Sequence, residues 1–133
     1  MAGEIKANQL VIDGESVYPS ITTVGGAAGA QVSVTFKAID GDGSDVAAAT
    51  PFRWVLSSSA TTGAIHTTAP SVQTSLTTGV ETDETTAGLA GHGFTDVNGD
   101  AVLLVDHAAD AQDYYLWLTM GGTTVTSTKI EVT

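Results

Sequence analysis

The fold class this sequence predicts is all-β, an antiparallel sandwich of about seven to nine short strands. Three observations lead there. Short runs rich in Val, Ile, Thr, Phe, Tyr and Trp recur along the chain, Gly- and Asp-rich turns separate them, and no longer segment keeps an apolar period of about 3.6 residues.

The candidate strands are taken in order. Gln9 to Ile12 and Ile21 to Val24 are short apolar runs, and Gly25-Gly26-Ala27-Ala28-Gly29 after them reads as a flexible joint. Gln31 to Ile39 is closed by the turn Asp40-Gly41-Asp42-Gly43. In Phe52 to Ser58 the residues Phe52, Trp54 and Leu56 alternate inward. Val72 to Thr78 is the strongest strand candidate in a stretch, 59 to 93, where Ser, Thr, Ala and Gly leave few large apolar anchors. That stretch reads as a long loop or edge-strand insertion, with disorder of part of it as the alternative. Ala101 to Asp106 follows an Asn98-Gly99 pair suited to a type I′ hairpin. Tyr114 to Met120 and Thr123 to Thr133 are joined by Gly121-Gly122, the clearest hairpin signal in the chain, and Asp106 to Asp113 has room for one short helical turn. Residues 31–133 thus read as one sandwich, and residues 1–30 as an N-terminal arm lying on a neighbouring subunit or as a first strand of the same sandwich.

Composition narrows the function. Fifteen Asp and Glu against four Lys and Arg give a formal net charge of −11. Such a surface repels a phosphate backbone, which excludes nucleic acid as the expected partner. The acids are spread along the chain, with Glu81-Thr82-Asp83-Glu84 the one local cluster, so they belong to a folded surface rather than a disordered tail. Scarce lysine with abundant Asp, Thr, Ala and Gly is the balance of proteins from salt-loving microbes and their viruses, where molar salt screens self-repulsion; an ordinary acidic protein is the alternative. Cysteine is absent, which rules out disulfides and Cys-based metal or redox sites. The start Met1-Ala2-Gly3-Glu4-Ile5-Lys6 has no basic, apolar leader pattern, and no run of apolar residues is long enough for a membrane helix, so neither export nor membrane attachment is expected.

The last third, from Gly93-Phe94-Thr95-Asp96-Val97-Asn98-Gly99-Asp100 through Ala101 to Val105 and on to Asp110-Ala111-Gln112-Asp113-Tyr114-Tyr115-Leu116-Trp117-Leu118, resembles bacterial immunoglobulin-like domains of the invasin and intimin type, which are found in tailed-virus decoration and fibre proteins. The resemblance covers roughly residues 30 to 58 and 93 to 133 and implies an immunoglobulin-like antiparallel β-sandwich. It also implies that Tyr114, four residues after Asp110, bonds back to the backbone at a corner, that Leu116 stands where disulfide-bearing relatives keep a cysteine, and that Trp54 is the tryptophan buried on the third strand.

Candidate sites follow from strand period and turn chemistry. If Tyr114, Leu116, Leu118 and Met120 face the core, then Tyr115, Trp117 and Thr119 face outward, and Tyr115 with Trp117 would make a protein-binding patch unless a loop from 59 to 93 or the N-terminal arm covers them. Asp40, Asp42 and Asp45 place oxygen ligands near one another, as do Asp96, Asn98 and Asp100, but neither run has the Gly and Glu that a calcium loop of the EF-hand type requires. Each is a weak calcium or sodium candidate set against a turn whose side chains bond their own backbone. His66, His92 and His107 show no metal-binding spacing, and no nucleophile or phosphate-cradle motif is present. The expected protein is therefore no enzyme and needs no cofactor. It is a capsid decoration (cement) or head-fibre subunit of a prokaryotic tailed virus, located on the virion and assembled in the host cytoplasm. Its partners are the major capsid protein or other virion proteins, as a homo-oligomer or in many copies per particle, with neither nucleic acid nor membrane. The alternative is a carbohydrate- or receptor-binding adhesin module that uses Tyr115 and Trp117 for stacking.

Overall fold

From Gln31 to Ile39 every second side chain is buried, which is what a half-buried strand of period two demands. The same alternation holds from Asp100 to Asp106 and from Tyr114 to Met120. The structure, a computed structural model, describes residues 4–6, 9–12, 15–25, 31–71, 73–106 and 112–132. Twelve strands are found among them: β1 (Glu4–Lys6), β2 (Gln9–Ile12), β3 (Glu15–Gly25), β4 (Gln31–Ile39), β5 (Pro51–Ser57), β6 (Gln73–Thr78), β7 (Val80–Thr86), β8 (Ala90–Phe94), β9 (Asp100–Asp106), β10 (Gln112–Met120), β11 (Thr123–Thr126) and β12 (Ile130–Val132).

They form two antiparallel sheets. The first has the order β1-β2-β3-β4-β9-β6, and the second β11-β10-β5-β8-β7 with β12 also paired to β10. Val32, Val34, Phe36, Ala38, Ala101, Leu103 and Val105 of the first sheet pack against Phe52, Trp54, Leu56, Tyr114, Leu116, Leu118 and Met120 of the second. Phe36 and Phe52 meet across the layers edge to face, with ring centroids 5.0 Å apart at 84°. The all-β sandwich is as the strand pattern predicts, and the inward alternation of Phe52, Trp54 and Leu56 is found as read.

The differences have local causes. The stretch 59 to 93 carries β6, β7 and β8, and β8 is an interior strand between β5 and β7. Its inward positions are Gly91 and Gly93, so no apolar period betrays it. A Cβ at Gly91 would stand 2.6 Å from the Asp83 carbonyl oxygen and 2.9 Å from Trp54 Nε1, and one at Gly93 would stand 2.7 Å from the Val80 carbonyl oxygen. Large side chains of β5 fill that space instead. β3 starts at Glu15 rather than Ile21 and includes Pro19; β2 pairs with it only from Glu15 to Val17, so the missing N–H of Pro19 breaks no ladder. The final run is split into β11 and β12. At Ser127, between them, the hydroxyl accepts the Leu116 N–H at 2.9 Å while the Ser127 N–H donates to the Leu116 carbonyl at 2.8 Å, so the ladder crosses the break through a side chain.

Asn98-Gly99 does not make a hairpin: β8 and β9 lie in different sheets, and this turn carries the chain from one to the other. Gly121-Gly122 does join paired strands, with Met120 opposite Thr123. Residues 26–29 of the proposed joint, Val72, His107 and Asp110, and residues 107–111 of the proposed helical turn lie outside the described residues; the ends of that turn, Asp106, Gln112 and Asp113, are strand.

Candidate functional site

The two acidic turns are built alike. Asp40 Oδ1 accepts the N–H groups of Asp42 and Ser44, both at 2.9 Å, while Asp40 N–H donates to the Ser44 carbonyl and Gly43 N–H to the Asp40 carbonyl. Asp96 Oδ1 accepts from Asn98 at 2.9 Å and Asp100 at 3.0 Å, with the same two backbone bonds closing the loop. In each the leading carboxylate is spent on its own backbone, which is the chemistry of an Asx turn. The turns are neighbours. Ala38 N–H donates to the Gly99 carbonyl and its carbonyl accepts from Val46 N–H, so the end of β4 is clasped between them. Gly99 has φ +82°, and a Cβ there would collide with the Val46 carbonyl oxygen. Lys37 lies among the acids: its amine is 2.6 Å from Asp45 Oδ1, and the hydrogen bond and charge of Asp45, with a contribution from Asp100, hold its pKa above the usual lysine value. Among the described residues no group of three or more His, Asp or Glu could hold a metal ion.

The outer face of the second sheet is divided. Tyr115, Trp117 and Thr119 point outward from β10 and are partly buried. Trp117 is covered: its indole N–H donates to the Ser59 carbonyl at 2.9 Å, and Gly63 rests on the ring, a Cβ there lying 3.4 Å from Cε3. The covering segment holds its own shape. Ser57 Oγ donates to the Thr62 carbonyl at 2.9 Å, and Ser59 Oγ accepts the N–H groups of Thr61 at 3.0 Å and Thr62 at 3.1 Å. The segment then pairs back onto β5 through Ile65 opposite Ser57, and His66 N–H donates to the Leu56 carbonyl. Tyr114, on the inner side, sends its hydroxyl to the Thr68 carbonyl at 2.9 Å, with the His66 ring 4.6 Å from its own. The bond to backbone that the resemblance implied is made, but to this distant segment rather than to a local corner. Burial raises the Tyr114 pKa above the usual phenol value.

The other half of the face is open. Thr119 pairs with Arg53 and Arg53 with His92, and beside this row Phe94 stands opposite Pro51 on one side and Val80 on the other. Pro51, Arg53, Thr82, His92, Phe94 and Thr119 line a groove of about 490 Å3. Phe94 is 42% and Val80 62% exposed, so a connected apolar margin borders the charged row. The period of two already sends Arg53 outward between Phe52 and Trp54; Phe94 carries no such signal because its strand is invisible in the sequence.

β7 bounds this half and is protected as an edge. Its pairing with β8 shifts register twice, its outward residues include Asp83 and Glu84, and Glu81 is partly buried beside Trp54. Glu81 Oε2 and Trp54 Nε1 are buried without a hydrogen bond of good geometry. Burial raises the Glu81 pKa above the ordinary carboxylate value, the charge of Glu84 adds to this, and the nearby indole N–H partly offsets it.

No family model matches the chain, and neither a curated protein nor a solved structure matches it.

Proposed function

We propose that this chain is an immunoglobulin-like structural subunit of a prokaryotic tailed virus, a capsid decoration or head-fibre protein that acts by contact with the major capsid protein or other virion proteins rather than by catalysis. The observation that carries the reading is the open half of the second sheet: an apolar margin of Phe94, Val80 and Pro51 around one guanidinium, where the other large exposed apolar side chains among the described residues, Ile65 and Val97, lie outside this groove. A patch of this kind, rimmed by polar groups, is the signature of a surface that another protein covers. The strand order supports the immunoglobulin-like part. β3-β4-β9-β6 facing β11-β10-β5 follows the ABED and GFC sheets of that fold, with β7 and β8 added after the fourth strand. The acidic excess suits a particle assembled at high salt.

The adhesin alternative is weakened in one of its two stacking residues, because the 59–63 segment lies on the Trp117 ring. Quantitative mass spectrometry of gradient-purified virus particles from the host tests the proposal. Many copies of this polypeptide per particle are expected. Its absence from particles, with a free monomer that binds immobilised glycans, would replace the virion reading by the adhesin one.

A further inference from the structure

Of the basic side chains that are described, Lys37 is paired with Asp45 and Lys129 lies 3.9 Å from Asp113 and 3.6 Å from Glu131. Arg53 is in no ion pair among the described residues, in a chain with fifteen carboxylates. An unpaired guanidinium on an open sheet face has its five donors free for a ligand, and its fork matches a carboxylate. It has an exposed imidazole, His92, as its cross-strand neighbour, a hydroxyl, Thr119, on the other side, and the exposed ring of Phe94 along the same groove.

We propose that this groove binds an Asp or Glu side chain flanked by an apolar residue, presented by a loop or extended segment of the partner protein: the carboxylate pairs with Arg53 and the apolar neighbour lies on Phe94. The inference rests on the protein-contact reading above and names the chemistry of that contact. Charge complementarity selects the occupant. Among the described residues Arg53 is the one Lys or Arg lining this groove, so at this point an acid is held while a basic group is not. An internal acidic side chain is favoured over a chain terminus because terminal carboxylates are captured by free backbone N–H groups. Here the backbone of β5 and β8 is engaged in ladders on both sides, leaving side chains as the donors.

The test is a 1H–15N NMR titration of the intact protein with the end-blocked tripeptide Phe-Glu-Leu, run in parallel with Phe-Gln-Leu. Shifts confined to Arg53, His92, Phe94 and their strand neighbours are expected for the acid. Binding should weaken about tenfold for the amide peptide and about tenfold for Arg53→Gln, with Arg53→Lys between, since a charge-assisted bidentate pair is lost. Phe94→Ser should weaken it independently while leaving the spectrum of the sandwich intact. Equal binding of the two peptides, shifts elsewhere, or indifference to both substitutions would overturn the proposal. The two readings fail separately. Acid-selective binding in a protein absent from particles leaves the groove chemistry standing and removes the virion role, whereas a particle-borne protein whose occupancy survives Arg53→Gln keeps the role and removes the groove.

Discussion

One face of one sheet carries both a covered and an open surface, and they differ in what holds them. Around Trp117 the outer face is finished by the chain itself: the 59–63 segment gives the indole N–H an acceptor, lies on its ring, and spends its own hydroxyls on its own backbone. Around Arg53 and Phe94, on neighbouring strands, no segment among the described residues is laid down. The contrast teaches that exposure of a sheet face is decided by connection length rather than by the strands. The long link from β5 to β6 folds back over β10, while the short links Gly79 and 87–89, on either side of β7, cannot reach over β8. A covered half contributes stability; an uncovered half is available for binding.

The largest effect is expected where the open half is created. Gly93→Val would put side-chain atoms against the Val80 carbonyl, Leu76 and Phe52, where backbone cannot yield. A loss of about 3 kcal/mol or more is expected, measured by urea unfolding, because relief requires β8 to leave β7. A near-neutral variant would mean that β8 is not seated as described.

Next comes the covered half. Trp117→Ala removes a partly buried ring together with the donor that fixes Ser59, for an expected loss of about 2–3 kcal/mol. Hydrogen exchange should accelerate across residues 58–66, and exchange unchanged there would show that the segment is held by its own turns alone. The variant should also expose Tyr115 and Val55, extending the open face toward β10.

How much of this was legible depended on side-chain period. β4, β5 and β10 could be read because large residues alternate with small or polar ones, and the same alternation placed Tyr115, Trp117 and Arg53 outward. β8 could not, since Gly91 and Gly93 yield their inward volume to Trp54 and Phe52, and β7 could not, since an edge strand defended by Glu81, Asp83 and Glu84 looks like a solvated turn. The open groove lies between a legible strand and an illegible one. Its Arg53 could be suspected, but its Phe94 could not. The acidic runs fit two alternatives in the sequence, an ion loop or a turn that bonds its own backbone, and their internal hydrogen bonds are those of the second.

A smaller effect belongs to the margin of the open half. Glu81 binds its proton more tightly in the folded chain than the unfolded value of 4.5. Stability from this group is therefore fully present below that value and is lost as pH rises through the higher folded pKa, where ionisation places a partly buried charge beside Glu84 and Asp83. Glu81→Gln should raise the unfolding midpoint modestly at about pH 7 and converge with the parent near pH 4. Taking the difference between the two proteins cancels the other carboxylates. A gap that persists at low pH would assign the effect to packing against Trp54 instead.

The smallest effect on stability is expected from Arg53→Gln and Phe94→Ser, and its smallness is what separates the two halves. Neither side chain fills the core: Arg53 is exposed, with no ion pair to lose among the described residues, and Phe94 projects from the sheet. Arg53→Gln should change the unfolding free energy by no more than about 0.5 kcal/mol, and Phe94→Ser by about 1 kcal/mol, the part of its ring that its strand neighbours cover. Removing the cation from a chain of net charge −11 should destabilise slightly more at low salt than at high salt, because only screened repulsion is at stake. A loss comparable with that of Trp117→Ala would mean that Arg53 or Phe94 is covered by some part of the chain itself. If stability changes this little while binding falls, these residues are there for a surface that is not their own, since a half-exposed ring and a solvated guanidinium bring the free protein little folding energy.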